Sequence, residues 1–360
     1  MIPATRKQKN DPAPATVAEW QRELAMAIRD AGELRSLLDL PGDAAGDAGF
    51  PVRVPRGYAA RMRRGDPHDP LLAQVLPSAA EGREVPGFGP DPVGDRAAMI
   101  RPGVLHKYHG RVLLVTTGAC GIHCRYCFRR EFPYADANPR PDDWQAAIDY
   151  IAGDDSIEEV ILSGGDPLSL SDHKLAGLVE RIEAIPHVGT LRIHTRLPVV
   201  LPERVDDALC DWLSGTRLAT VVVLHANHGN EIDASVGAAA ARLRATGAMV
   251  LNQAVLLRGV NDKVQAMAEL SRRLFAAGVL PYYLHMLDPV RGAAQFETGS
   301  EEARRLMAGV AALLPGYLVP RLVVEQAGRP GKTPLAHDWS GCRDGMTTPT
   351  LDSAGGPSTP

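Results

Sequence analysis

Residues 111–134 read RVLLVTTGACGIHCRYCFRREFPY, and the prediction of the fold starts from this stretch. It opens with a β-branched run of the kind that forms buried strands. The loop after that run holds three cysteines, Cys120, Cys124 and Cys127, followed closely by two arginines. Because functional side chains collect at the carboxyl ends of strands in parallel α/β folds, the stretch predicts both a fold class and the place of a site.

Five more runs of the same texture follow, each with a helical pattern after it, at intervals of roughly 30 residues. They read EEVILSGG, TLRIHT, LATVVVLHA, MVLNQAVLL and LPYYLHML, and begin at residues 158, 190, 218, 249 and 280. Six such units predict an α/β fold with a parallel sheet or barrel and right-handed crossovers. A shorter run, RLVVE at 321–325, predicts one more strand.

The parts of the chain outside these units differ in composition. The segment ahead of them is charged and shows loosely helical spacing, as in VAEWQRELAMAIRDAGELRSLLDL at 17–40. The end of the chain, from Ser340, is rich in Gly, Ser, Thr and Pro and has little to bury, so we expect it to be disordered. The predicted divisions are 1–17 disordered, 18–104 a helical extension, 105–327 the barrel, 328–339 a segment that carries Lys332, and 340–360 disordered.

Composition and charge limit the classes of partner that the protein can have. The chain has 360 residues and a mass of 38.6 kDa, and 45% of it is hydrophobic, so it can bury a large core. With 39 basic and 43 acidic side chains, a formal net charge of -4 offers no overall attraction to nucleic acid or anionic membranes. The first residues show no apolar signal-peptide core, and no apolar run reaches the roughly 18 residues of a membrane span. We therefore expect a cytoplasmic protein with small-molecule partners and without nucleic-acid or membrane partners.

The cysteine loop has three interpretations. In a reducing cytoplasm, an odd count of five cysteines favours metal chemistry over disulfides. Structural zinc takes four ligands, usually in paired CxxC motifs; no second CxxC is present, although His123 offers a fourth ligand. Three thiolates on a [4Fe–4S] cluster would leave one iron open to another ligand. Three buried cysteines without a metal are the remaining interpretation.

Three other features lie where chemistry would collect. SGGDP at 163–167 has two glycines that let the backbone approach a ligand, and its Asp166 can accept a hydrogen bond from an ammonium group. Arg129 can hold a carboxylate or phosphate with both prongs of its guanidinium group. Lys332 follows a Gly/Pro-rich loop, and a buried lysine can form an imine. Each of these residues, taken alone, is more often part of a turn or a solvated charge.

Two family resemblances rest on these residues. The C-x3-C-x2-C spacing, with Tyr126 before the last cysteine, resembles the signature of the radical S-adenosylmethionine (SAM) superfamily, and SGGDP resembles its glycine motif. Over roughly 18–339 the chain is similar to the lysine 2,3-aminomutase family, through FRREF, LSGGDPL, HANHGNEI, NQAVLLRGVND, YYLHMLDPVRGAAQF and GKTPL. It most resembles the bacterial branch that makes β-lysine for the modification of elongation factor P.

The resemblance implies a partial (β/α)6 radical SAM barrel with an N-terminal helical extension. It also implies three cofactors, a [4Fe–4S] cluster on the three cysteines, SAM, and pyridoxal 5′-phosphate (PLP). The residue roles that it implies are Lys332 for covalent binding of PLP, Lys107 and Arg111 for the PLP phosphate, Ser163, Gly164, Gly165 and Asp166 for SAM, Arg129 for the substrate carboxylate, Asp288 and Glu325 for the distant ammonium group, and His225, Asn227 and His228 for the wall of the same cavity.

The implied reaction moves the α-amino group of L-lysine to the neighbouring carbon. An electron donor such as flavodoxin or ferredoxin, elongation factor P and its lysine ligase are the implied partners. Lys107 stands where relatives carry an arginine. Glu325, in place of a shorter carboxylate, and AGRPG at 327–331, in place of a glycine run, both favour the elongation-factor branch.

Two other functions stay open on the sequence. One is a mutase for another free amino acid or pathway, although Asp288 and Glu325 oppose an acidic substrate. The other is a non-catalytic iron–sulfur or zinc protein, which would leave Lys332 and Arg129 without a role.

Overall fold

The structure is a computed structural model that describes residues 17–42, 49–137 and 144–339. The predictions of disorder therefore fall almost wholly outside the described residues. One sheet of ten strands runs through the described chain, and its spatial order is the chain order. The strands are β1 Met99–Arg101, β2 Val104–Tyr108, β3 Arg111–Thr117, β4 Glu159–Gly164, β5 Thr190–Thr195, β6 Ala219–Leu224, β7 Met249–Val255, β8 Leu280–His285, β9 Arg321–Val324 and β10 Thr333–Pro334.

Strands β3 to β9 pair in parallel, each with the next. The six predicted strands are β3 to β8, and the shorter predicted strand is β9, so these predictions are confirmed. A helix lies in each crossover, which is the usual connection between parallel strands. The helices of the barrel are α6 Gln145–Ala152, α7 Asp172–Glu183, α8 Leu197–Val200, α9 Asp207–Gly215, α10 Ala234–Ala245, α11 Val264–Ala276 and α12 Ser300–Leu313.

The segment before the barrel is less helical than expected. Its helices are short: α1 Glu19–Ala25, α2 Ala31–Leu37, α3 Arg56–Ala59 and α4 Pro70–Ala73, and a further short helix, α5 Tyr134–Ala137, follows the cysteine loop. The prediction of a helical segment up to residue 104 was wrong at its end, because β1 and β2 form an antiparallel hairpin on the edge of β3. Gly103 and Gly110 take positive φ angles of 76° and 77° at the two turns, a conformation that favours glycine.

Along the barrel strands, side chains that pack in the hydrophobic core alternate with side chains that line the central cavity. In β5, Leu191 and Ile193 are buried in the hydrophobic core, whereas Arg192 and His194 line a central cavity. Successive side chains of a strand point to opposite faces, so one face packs on helices and the other presents polar groups to the barrel interior. The described helices include none with the length and hydropathy needed to cross a lipid bilayer.

Candidate active site

A cavity of about 470 Å³ lies inside the barrel, within the size range of small-molecule sites. Its wall includes fourteen of the sixteen predicted site residues: Lys107, Arg111, Cys120, Cys124, Cys127, Arg129, Ser163, Gly164, Gly165, Asp166, His225, Asp288, Glu325 and Lys332. These residues come from both ends of the barrel sequence, so the fold brings the cysteine loop and the Lys332 segment to one space.

The cysteine loop follows β3 and is held in place by the buried carboxylate of Glu81. Arg125 Nε donates to Glu81 Oε1 at 2.9 Å, and Arg130 Nη2 donates to Glu81 Oε2 at 3.0 Å. The backbone N–H of Cys127 donates to the carbonyl of Cys124 at 3.0 Å, which closes a tight turn. Burial, together with the neighbouring Cys124, raises the pKa of Cys127 to about 11.

The geometry of the loop does not suit a single zinc ion. Among the described residues, no three His, Cys, Asp or Glu side chains are grouped closely enough to hold a metal ion. His123, the alternative fourth ligand, lies with its Nδ1 2.8 Å from the carbonyl oxygen of Pro51 and stacks on Phe50. A [4Fe–4S] cluster binds its thiolates on different irons, which places the sulfurs farther apart than the ligands of one ion. Three thiols that share a cavity without converging on one point therefore fit the cluster.

The two glycines of SGGDP hold the end of β4 against the cysteine loop. A Cβ on Gly165 would lie 2.2 Å from the carbonyl oxygen of Ala119, and one on Gly164 would lie 2.5 Å from that of Thr117. Gly164 also has a φ of 127°. The backbone N–H groups of Gly165 and Asp166 donate to the carbonyls of Thr117 and Ala119 at 2.6 and 2.7 Å. Glycine is thus required here for backbone contact, whatever ligand binds beside it.

Asp166 has a structural role that the sequence did not predict. Its Oδ1 accepts from Thr195 Oγ1 at 2.7 Å and from the N–H of Leu168 at 3.1 Å. Its Oδ2 accepts from the N–H groups of Arg196 and Leu197 at 2.7 and 3.0 Å. A carboxylate has about four acceptor sites. A SAM ammonium group would therefore have to displace one of these four donors, and direct binding by Asp166 stays a prediction.

A chain of alternating charges crosses the cavity wall. Arg129 Nε donates to Asp95 Oδ2 at 2.7 Å, and Lys107 Nζ lies 2.6 Å from Asp95 Oδ1. Lys107 Nζ also lies 3.2 Å from Glu325 Oε1, and Glu325 Oε2 accepts from Lys332 Nζ. Asp95 was not predicted, because a single carboxylate in a Gly/Pro-rich loop gives no signal in the sequence.

The contacts of Lys107 and Arg111 bear on their predicted phosphate role. Besides its two carboxylates, Lys107 Nζ donates to the carbonyl of Val93 at 2.8 Å, so its three donors are occupied. The guanidinium group of Arg111 lies 4.8 Å from the ring centroid of Tyr108. Arg111 keeps donors for an anion, whereas Lys107 would have to exchange a partner to bind one.

Glu325 and Asp288 are both half-buried, but their surroundings shift their pKa values in opposite directions. Although burial opposes it, the ammonium group of Lys332, aided by Lys107, lowers the pKa of Glu325 to about 2. Burial, and next the negative charge of Glu325, raises the pKa of Asp288 to about 7. Within the described part of the chain, the carboxylate of Asp288 has no hydrogen bond or ion pair. The two carboxylates of the expected acidic pair therefore differ, because Glu325 is already paired with Lys107 and Lys332.

The three residues of the HANHGNE motif separate in the structure. His225 lines the cavity, with its Nε2 2.9 Å from the hydroxyl of Tyr126, and burial lowers its pKa to about 3, which keeps the ring neutral. Asn227 is buried behind the wall, where its Nδ2 donates to Tyr126 at 2.7 Å. His228 accepts from the N–H of Asn230 at 3.1 Å and caps a short turn. The expectation that Asn227 and His228 line the cavity was wrong.

Several further residues of the cavity wall were not predicted. They lie on β5 and β8 and directly after β5: Arg192, His194, Arg196, Tyr282, Tyr283 and His285. The polar positions that alternate with apolar ones in TLRIHT were the available signal. Burial, followed by the charge of Lys332, lowers the pKa of His285 to about 3, so a neutral imidazole lies on the Lys332 side of the cavity.

Comparison with known proteins agrees with this fold and site. Residues 114–270, which include the cysteine loop and the strands that carry SGGDP and HANHGNE, match the radical SAM superfamily. The L-lysine 2,3-aminomutase of Escherichia coli (strain K12) is 47% identical over 323 residues, which cover 88% of this chain and 94% of that protein. The enzyme of the same name from Haemophilus influenzae is 48% identical over 320 residues, with coverages of 87% and 94%. That of Clostridium subterminale is 34% identical over 323 residues, with coverages of 88% and 77%.

The fold and the cysteine loop define a radical SAM enzyme. Identity of this extent shows more: the chain belongs to the L-lysine 2,3-aminomutase family, whose members are isomerases. A [4Fe–4S] cluster, SAM and PLP are the cofactors that this membership implies.

Proposed function

We propose that this protein converts L-lysine to β-lysine by moving the α-amino group to the neighbouring carbon. The single observation that carries the proposal is that three cluster-type thiols, Lys332, Arg129 and an uncompensated Asp288 face one cavity. An amino acid needs an acceptor for each of its positive groups and a donor for its carboxylate, and this cavity contains both kinds of group. A non-catalytic metal protein would not need them.

The proposed residue roles follow from the hydrogen-bonding groups of the cavity wall that have no partner within the described chain. Arg129 Nε is held by Asp95, and Nη1 donates to Ser163 Oγ at 3.2 Å. Within the described chain Nη2 has no hydrogen bond, so one prong of the fork can take the substrate carboxylate while the other keeps its orientation. Asp288, at the far side of the charge chain, would take the distant ammonium group. Holding a flexible substrate at both ends fixes the carbon at which hydrogen is removed.

Lys332 is the proposed attachment point of PLP, and Arg111 with Lys107 would hold its phosphate. PLP, when bound, supplies the conjugated system that lets nitrogen move between adjacent carbons. Glu325 keeps Lys332 in place before the cofactor binds, because both atoms of its carboxylate are engaged by lysines. The neutral His225 and His285 present no competing charge near that position.

The charge state of Asp288 provides for binding of the substrate ammonium group. With a pKa of about 7, its carboxyl group is partly protonated near neutral pH in the absence of substrate. A cation at 4–6 Å favours the ionised form, so lysine binding would release a proton from this group. An acidic substrate would gain no such contact.

We further propose that the β-lysine serves the modification of elongation factor P in the cytoplasm, with an electron donor such as flavodoxin or ferredoxin reducing the cluster. The chain is more similar to the relatives from Escherichia coli and Haemophilus influenzae, and spans 94% of each, than to the longer relative from Clostridium subterminale. Glu325 and the AGRPG loop support the same branch.

The experiment that tests the activity is anaerobic incubation of the reconstituted protein with SAM, PLP, a reductant and one amino acid at a time, with chiral analysis of the products. We expect β-lysine from lysine and no rearrangement of glutamate. Rearranged glutamate without β-lysine would contradict the proposal. The biological role is tested separately, by the mass of elongation factor P in cells with and without the gene; an unchanged mass would remove that role but leave the activity intact.

A further inference from the structure

Arg196 is a buried arginine that the roles proposed above do not use. It directly follows β5, and its side chain lines the same cavity as the cysteine loop, although the residue is only 6% exposed. Its Nη1 lies 2.7 Å from Sγ of Cys124, within hydrogen-bond distance for sulfur. Removing a charged side chain from water is costly, so a buried arginine needs compensating partners.

Those partners fix the guanidinium group from three separate segments of the chain. Nη1 donates to the hydroxyl of Tyr126 at 2.6 Å. Nη2 donates to Glu231 Oε2 at 2.8 Å and to Gln74 Oε1 at 2.7 Å. Glu231 is itself fully buried. The rigid support means that the contact with Cys124 is imposed by the fold and does not depend on a flexible surface side chain.

One donor of Arg196 is left over. Its Nε is buried and has no acceptor among the residues that the structure describes. An unpaired buried donor is unfavourable, and such groups are uncommon unless a ligand completes them. All three thiols line the cavity beside Arg196, so an acceptor that enters with the cluster or with SAM would complete the hydrogen bonding of the arginine.

We propose that Arg196 is a positioning residue of the cluster site, which orients Cys124 and raises the reduction potential of the [4Fe–4S] cluster. Net charge and hydrogen bonds to the sulfurs set the potential of such clusters. A positive donor on a cysteine sulfur stabilises the additional electron of the reduced cluster. Glu231 opposes this effect, because its negative charge lies on the far side of the same guanidinium group. The inference needs the cluster but not the choice of lysine as substrate.

The test is an anaerobic redox titration of the reconstituted protein, followed by electron paramagnetic resonance of the reduced cluster. At the midpoint potential of the parent, Arg196→Gln is expected to lower the ratio of reduced to oxidised cluster by at least about tenfold. For one electron this corresponds to a midpoint lowered by about 59 mV. Arg196→Lys, which keeps the charge, should restore part of the shift. Glu231→Gln should shift the midpoint in the opposite direction.

The matched control is Arg204→Gln. Arg204 is also fully buried, and it donates to the carbonyl of Leu168 at 2.7 Å and to Asp172 Oδ1 at 2.8 Å, away from the cysteine loop. It should lose stability but keep the parent midpoint. An unchanged midpoint in Arg196→Gln with full iron content would overturn the proposal, as would shifts of the same sign in Arg196→Gln and Glu231→Gln. If Arg196→Gln does not take up iron, Glu231→Gln decides: an upward shift supports the proposal and no shift overturns it.

Discussion

Asp288 is the residue on which selectivity for a positively charged substrate side chain should depend most directly. Glu325 is held ionised by Lys332 and Lys107, whereas Asp288 has no partner among the described residues. A hydrogen bond to a charged group is worth roughly 1.5–3 kcal/mol, and 1.4 kcal/mol is about tenfold in a rate or binding constant. Asp288→Asn is therefore expected to lower kcat/KM for lysine by at least about tenfold, measured anaerobically with PLP and iron contents unchanged. Parental kcat/KM in this variant would show that the ammonium group binds elsewhere.

Lys332 should control PLP without controlling the cluster. The side chain contacts Glu325, and its Nζ lies 6.0 Å from the ring centroid of Tyr283. In the sequence, Lys332 and the cysteines lie at opposite ends of the barrel. Lys332→Ala is expected to abolish the PLP absorbance that borohydride reduction fixes to the protein, while iron content stays at the parental level. Lys174, an exposed lysine on α7, supplies the control: Lys174→Ala should retain both cofactors. Loss of iron together with PLP would instead indicate a folding role for Lys332.

At the scale of secondary-structure elements, the junction between β4 and the cysteine loop depends on backbone contact. A Cβ at Gly165 would meet the Ala119 carbonyl at 2.2 Å, so Gly165→Ala must displace the loop. We expect a lower unfolding midpoint and reduced iron uptake. Gly177, inside α7, has nothing within 4 Å of an added Cβ; Gly177→Ala should instead stabilise the protein by about 0.5–1 kcal/mol through helix propensity. Denaturant unfolding and iron analysis compare the two, and equal iron content in both variants would contradict this role of the junction.

The same scale shows why some elements could be predicted and others could not. The strands β3 to β9 are short runs rich in apolar and β-branched residues, some of them alternating with polar ones, which is a local pattern. The hairpin of β1 and β2 is short, and β2 has only Val104 and Leu105 fully buried, so its apolar pattern is too brief to distinguish from a loop. Strand β10 has two residues and exists because it pairs with β9.

At the scale of the whole molecule, the buried carboxylates predict how stability changes with pH. The folded protein raises the pKa of Asp288 from 3.8 to about 7, so it binds a proton that the unfolded chain releases between these values. This contribution is fully present below the unfolded pKa and is lost as pH rises through about 7. Glu325, with its pKa lowered from 4.5 to about 2, contributes stability that is lost only as pH falls below about 4.5.

Asp288→Asn should therefore be more stable than the parent at about pH 8, and the difference should shrink at about pH 6. The measurement is denaturant unfolding of both proteins without PLP at the two pH values. A difference that is the same at both values would show that Asp288 is not the group that titrates. Lys174→Ala serves as a variant for which no pH-dependent difference is expected.

The sequence alone was enough to predict the parallel α/β class, the six principal strands and the cysteine loop. These depend on patterns within a few residues, where spacing along the chain is also spacing in space. The tertiary structure alone decided which charges meet. Lys107 and Glu325 are 218 residues apart in the chain and 3.2 Å apart in the fold, and Arg196 reaches Cys124 across 72 residues. Such contacts depend on the order and register in which the strands close around the cavity, and these are set by packing of the whole barrel.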